Sequence, residues 1–125
     1  MKELPEHLII TLKRFMFDIS SSRKEKLLTR VEVPTTLHLS GSQEGLVKYE
    51  LYCVIVHSGL SSEVGHYYTL VRDRQNSVWT RLSDQMVETV PGWWDQELHS
   101  MSDTPYMLFY QKGELLLKIL YVFRV

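Results

Sequence analysis

A chain of 125 residues with 44% apolar and 23% charged side chains has the make-up of one globular domain with a single core, not of a disordered tail. Its 14 basic and 15 acidic residues give a net charge of −1 without a basic stripe, which argues against nucleic acid or an anionic membrane as partner. One cysteine, Cys53, excludes an internal disulfide and a cysteine-rich zinc site, and fits a reducing intracellular setting, cytoplasm or nucleus. Met1–His7 lacks the apolar run of a secretory signal. Leu115–Val125 is apolar but interrupted by Lys118 and Arg124, and falls short of the roughly 20 residues a spanning helix needs, so a soluble protein is expected.

Most segments read as strands. Leu8–Phe17 is nearly all apolar or β-branched, which predicts a strand buried on both faces at its start, with Lys13-Arg14 as a solvated end. Ser20–Lys26 reads as a polar loop, Leu27–Val33 as a loosely alternating strand stopped by Pro34, and Leu37–Leu39 as a short edge piece before a loop over Ser40–Gly45. Tyr49–His57, rich in Val, Ile and Tyr, is the best strand candidate, followed by a small-residue loop, His57–Gly65. His66–Asp73 and Ser77–Asp84 predict a hairpin around Arg74-Gln75-Asn76. Pro91–Ser102 holds room for one helical turn, with Trp93 and Trp94 near its start as core residues, and Tyr106–Gln111 is a closing strand. The fold class expected is mainly β and antiparallel.

The hairpin carries the chemistry. With a three-residue loop His66 falls opposite Asp84, and with a two-residue loop opposite Ser83. Directly paired residues share a face with Cβ atoms roughly 4.5–5.5 Å apart, so either register puts an oxygen-bearing side chain within reach of the imidazole. Such a partner fixes the ring and leaves its other nitrogen free to move a proton, as in a nucleophile–base pair; a purely structural contact would look the same. Gly65, just before His66, would let the backbone turn and leave the ring accessible. His7, His38 and His99 stand at no metal-ligand spacing and read as surface residues, and His57 steadies the loop rather than catalysing.

Four segments in order, Leu4–Phe15, Tyr49–Tyr68, Trp79–Val87 and Pro105–Tyr110, resemble motifs of the ubiquitin-specific protease family. Leu4–Phe15 (LPEHLIITLKRF) is similar to the family's strand motif, and Tyr49–Gly59 followed by Gly65-His66-Tyr67-Tyr68 resembles its histidine box. Trp79–Val87 resembles the segment supplying the third catalytic residue, and Pro105–Tyr110 the closing strand. The resemblance implies residues 4–112 as the C-terminal part of the catalytic domain, with residues 113–125 a tail of unknown character. It implies the antiparallel palm sheet of a papain-like cysteine protease, α+β when intact, and a deubiquitinase. His66 would be its general base and then general acid, oriented by Ser83 by alignment or by Asp84 by local chemistry. Ser58, Gly59, Gly65 and Tyr67 would line the channel for ubiquitin's tail, on a loop that moves.

The sequence departs from the family where Ser83 stands at an acidic or amide position and Leu82 at an aromatic one. The nucleophile's cysteine box has no counterpart, and Cys53 between Tyr52 and Val54 reads as a small core hydrophobe. The expected partners are ubiquitin or a ubiquitinated protein and a missing N-terminal half, with no cofactor, no metal, no nucleic acid and no membrane. The chain alone is expected to be inactive. Two rivals remain at this stage: a non-catalytic ubiquitin-binding or regulatory module, and an unrelated β-sandwich interaction domain.

Overall fold

The computed structural model describes residues 3–41, 45–61, 63–73, 78–90 and 102–113. Its strands in chain order are β1 (His7–Thr11), β2 (Phe15–Asp18), β3 (Arg23–Lys26), β4 (Thr36–Gly41), β5 (Gly45–Ser58), β6 (His66–Arg72), β7 (Trp79–Ser83), β8 (Met86–Val90) and β9 (Asp103–Lys112). The described residues contain no helix, in line with the mainly β expectation. Antiparallel pairing joins β1-β9-β5-β6-β7-β8 into one sheet with β4 also on β5, while β2 and β3 form a separate two-stranded ribbon.

The 14-residue β5 organises the sheet, and its burial changes phase halfway. Val47, Tyr49 and Leu51 point into the core, and then Val54 and Val56 do. The cause is a bulge. Pairing with β9 steps from Leu51↔Tyr110 to Cys53↔Phe109, so Tyr52 is an extra residue. A second irregularity, between Ile55↔Met107 and Val56↔Pro105, leaves Tyr106 extra on β9 and restores the original register. A one-residue slip exchanges the two faces of a strand, so Cys53 and His57 end up turned from the main core. That core adds Tyr68, Leu70, Trp79, Leu108 and Tyr110, closed over by Leu4 and Val33. Buried phenols are satisfied: Tyr49 donates to the Pro5 carbonyl and Tyr110 to that of Pro34 at 2.7 Å, and burial pushes the Tyr110 pKa up to about 12.

Several expectations fail for physical reasons. Leu8–Phe17 is two strands broken at residues 12–14, and β1 keeps one face exposed, Ile9 included. Arg14, in the break, is buried rather than solvated. Its guanidinium donates to the carbonyls of Pro105 (3.2 Å), Leu27 (3.1 Å) and Thr29. Taking up those carbonyls, it holds residues 27–35 as an irregular segment across the sheet, where a strand was expected. The predicted polar loop at Ser20–Lys26 contains β3, and the loop at Ser40–Gly45 is shortened by β4 and β5. Strand β8 was not foreseen. The helical turn with Trp93 and Trp94, the Arg74–Ser77 connection and residues 114–125 lie outside the described residues.

Candidate active site

His66 opens β6 and pairs with Ser58, the last residue of β5, which pairs in turn with Asp103 on β9. The sequence reading of the β6–β7 hairpin was short. Pairs run from Arg72↔Trp79 to Thr69↔Leu82, with the Asp73 amide donating to the Val78 carbonyl at 2.8 Å, so four residues connect the strands. Continuing that ladder one step would put Ser83 across from Tyr68, on the face of His66 and one pair diagonal to it. The longer loop moves the register by an even number relative to the two-residue reading, which keeps Ser83 on the correct side. Its Oγ lies 2.7 Å from His66 Nε2.

Asp84 follows in the turn between β7 and β8 with φ 51°, a left-handed conformation that aspartate adopts more readily than most residues. That twist brings Oδ2 to 3.9 Å from His66 Nδ1. The two candidates therefore address different nitrogens: Ser83 holds Nε2, and the Asp84 carboxylate stands near Nδ1. His66 is 42% exposed and Asp84 82%, so the ring is reachable and the charge contact is screened by water. An imidazole with one nitrogen on a hydroxyl and the other open can accept and return a proton.

Beneath Tyr68 and beside the site runs a polar link. The Tyr68 hydroxyl donates to Asp103 Oδ2 at 2.7 Å, and the Arg81 guanidinium lies 4.1 Å over the Tyr68 ring. On the opposite face a closed set of four rings surrounds the root of the loop. His57 packs edge-on against Phe15 (5.2 Å between centroids) and Tyr67 (4.8 Å), and Tyr106 touches both Phe15 (5.6 Å) and Tyr67 (6.0 Å). His57 is buried, and among the described residues its Nδ1 has no hydrogen-bond partner. Burial lowers its pKa, the neighbouring Lys26 charge adds to that, and Asp103 opposes both, so the ring is held neutral.

The loop between β5 and β6 is pinched at its base by two glycines. Gly59 has φ 140°, and a Cβ there would meet the Val64 carbonyl oxygen at 2.6 Å. At Gly65 a Cβ would lie 2.3 Å from His57 Nε2 and 2.7 Å from the Ser58 oxygen. Gly65 is thus required by close approach to the His57 ring, not by the sharp turn expected of it. Of the residues expected to line a tail channel, Ser58 and Gly65 stand beside His66, Gly59 sits at the loop base, and Tyr67 is half exposed on the ring cluster. Within the loop, Leu60 and Val64 are exposed and the Ser61 hydroxyl accepts from the Val64 amide.

Two features went unread in the sequence. Lys26 is buried with its ammonium on the carbonyls of His57 (3.1 Å), Gly59 (2.5 Å) and Ser102 (2.8 Å), and burial lowers its pKa, with Asp103 opposing and Arg14 assisting. His7 is exposed as expected, but its contact was not foreseen: its Nδ1 lies 3.1 Å from the hydroxyl of the bulged Tyr52. Cys53 is half-buried and off the main core, and burial pushes its thiol pKa up, the opposite of what activates a nucleophile. Among the described residues no group of three His, Cys, Asp or Glu could hold a metal, and no helix is long and apolar enough to cross a membrane.

The chain is similar in sequence and fold to known proteins. Residues 1–110 match the family model described as Ubiquitin carboxyl-terminal hydrolase. The chain is 36% identical over 95 residues to ubiquitin carboxyl-terminal hydrolase 48 of Danio rerio, covering 74% of this chain and 9% of that protein. It is 45% identical over 69 residues to ubiquitin carboxyl-terminal hydrolase 35 of Homo sapiens, covering 55% of this chain and 7% of the relative. Ubiquitin carboxyl-terminal hydrolase 10-A of Xenopus laevis is 31% identical over 126 residues, 93% of this chain and 16% of its own length. Among solved structures, a yeast SAGA DUB module superposes with TM-score 0.73 at 28% identity, over 88% of this chain and 24% of that one. A Ubp8-containing SAGA DUB module bound to monoubiquitin gives TM-score 0.72 at 27% identity, again over 88% and 24%.

Proposed function

Since this chain belongs to the ubiquitin carboxyl-terminal hydrolase family, we propose that it supplies the general base of a thiol-dependent deubiquitinase, with His66 as that base. The family match removes the unrelated β-sandwich from consideration. Carrying the proposal is the His66–Ser83 contact of 2.7 Å on a ring that still opens to solvent. With Nε2–H donating to Ser83, the Nδ1 lone pair is the working one.

Nδ1 takes the proton of a cysteine thiol, the thiolate attacks the carbonyl carbon of ubiquitin's last glycine, and the imidazolium returns the proton to the leaving amine as the C–N bond breaks. Water, deprotonated by the same nitrogen, then attacks the thioester carbonyl, the C–S bond breaks, and the imidazolium's proton goes to the departing thiolate. Ser83 and Asp84 divide a task usually given to one carboxylate. The hydroxyl orients the ring, and the nearby charge favours the imidazolium, weakly because it is so exposed. The thiol must come from outside these 125 residues, whose only cysteine is the deactivated Cys53. Residues 4–112 are read as the part of the catalytic domain that carries this machinery, acting on ubiquitin or ubiquitinated proteins inside the cell.

That missing thiol also favours a second reading for the chain by itself: a ubiquitin-binding module without hydrolysis. The test is release of a fluorogenic amide from ubiquitin's C-terminus by the longest natural product containing these residues. His66→Gln is expected to abolish turnover, Ser83→Ala to lower kcat about 10–100-fold with KM little changed, and Asp84→Asn to cost less than about 5-fold. Full turnover by His66→Gln would end the catalytic reading. Binding of labelled ubiquitin by the 125-residue chain without turnover by any natural product would leave the module.

A further inference from the structure

The ribbon of β2 and β3 forms no strand pairing with the main sheet among the described residues, yet it grips the root of the loop that precedes His66. Phe15 and Lys26 are direct partners in the ribbon and share a face. Phe15 meets the His57 ring edge-on, and Lys26 donates to the His57 carbonyl. The same ammonium reaches Gly59, the first loop residue, and Ser102, the residue before β9. The Ser102 carbonyl also accepts from the Gly59 amide at 3.0 Å. Three donors meet three carbonyls from two chain segments, the end of β5 with the loop root and the residue before β9, and Lys26 is only 8% exposed.

Among the described residues the ammonium bonds no carboxylate, so its burial carries a desolvation cost that the three carbonyls offset. What the ammonium adds is geometry, because its three donors on one nitrogen draw three carbonyls inward to one point. These carbonyls flank the Gly59–Gly65 pinch, and that pinch sets where β6 starts and hence where His66 stands.

We propose that Lys26 is a positioning residue, which fixes the root of the 59–65 loop and through it the placement of Gly65 and His66. The effect on turnover rests on the function proposed above; the fixing of the loop does not.

The test uses the whole 125-residue chain. In the wild type labelled with 15N-lysine, the Lys26 ammonium protons are expected to exchange at least 10-fold more slowly than those of exposed Lys13 and Lys24. In Lys26→Met, amide exchange at Gly59 and Gly65 is expected to rise about 10-fold or more, while Val54 and Leu70 change less than about 3-fold. In Lys26→Ala, propylammonium should restore slow exchange at Gly59, and propanol should not. Uniform acceleration of all amides, an unmoved Gly59, or equal rescue by propanol overturns the proposal. If Lys26→Met does not fold, the wild-type ammonium decides alone, and exchange as fast as Lys13 overturns it. In the natural product, Lys26→Met is expected to raise KM for ubiquitin conjugates as well as lower kcat. Loop changes without any change in turnover would leave the positioning intact and count against the catalytic reading instead.

Discussion

Replacing Gly65 by alanine gives the sharpest quantitative test of the site. Gly65 has no left-handed φ, so judged by backbone alone the change should stabilise by about 0.4–1 kcal/mol, through the entropy of the unfolded chain. The surroundings reverse that sign. The new Cβ would lie 2.3 and 2.7 Å from two atoms of the His57 ring and 2.7 Å from the Ser58 oxygen. The ring has no room to retreat, because Phe15 and Tyr67 pack on it and it is 2% exposed. Overpacking of this kind costs roughly 1–3 kcal/mol, so Gly65→Ala should lower stability by about that amount in urea unfolding, with the m-value unchanged. A double-mutant cycle with His57→Ala isolates the contact. Removing the ring should recover about 1 kcal/mol or more of the loss, leaving the part due to the Ser58 carbonyl. A stabilised or neutral Gly65→Ala, or a loss indifferent to His57→Ala, would show that the ring does not define the loop base.

Two further outcomes follow from the buried charges. The folded pKa of His57 lies below its ordinary value of 6.5, so between the two values the unfolded chain binds a proton that the folded chain refuses. Stability should fall as pH drops below about 6.5, by up to about 1.4 kcal/mol per unit from this group, and the His57→Gln curve should be flatter by that amount; identical slopes in the two proteins would refute the assignment. Arg14→Met should cost about 3 kcal/mol by stranding the Pro105, Leu27 and Thr29 carbonyls, whereas exposed Lys13→Met should stay within about 0.5 kcal/mol. Equal costs at the two positions in thermal unfolding would contradict the buried role of Arg14.

The periodic parts of the chain were legible. Val, Ile and Tyr on β5, β6 and β9 gave the sheet, and the His66–Ser83 pairing of the two-residue loop kept its face because the true register differs from it by two, whereas the three-residue loop, off by one, would have put Ser83 on the other face. Three things escaped. The ribbon strand β3 is written in Arg, Lys and Glu, and its partner supplies the apolar contact, so no alternation marked it. Arg14 and Lys26 are cations whose partners are main-chain carbonyls, and a carbonyl leaves no letter in a sequence. Gly65 was noticed for the wrong reason, since the side chain it makes room for lies eight positions earlier.

The paired bulges at Tyr52 and Tyr106 carry a consequence for how such a chain can change length. Between them β5 and β9 run one step out of phase, and outside them in phase, like two rulers with offset divisions. Deleting Tyr52 alone would straighten the first bulge, since Leu51 and Cys53 would then sit on consecutive steps opposite Tyr110 and Phe109, and Cys53–Ser58 would keep the sides they have now. A residue inserted between Cys53 and His57 and not absorbed by a new bulge would instead exchange the sides of His57 and Ser58, turning the imidazole out of its aromatic pocket. The strand pair can therefore shorten at a bulge and keep its facing, whereas the stretch from Cys53 to Ser58 has a fixed length.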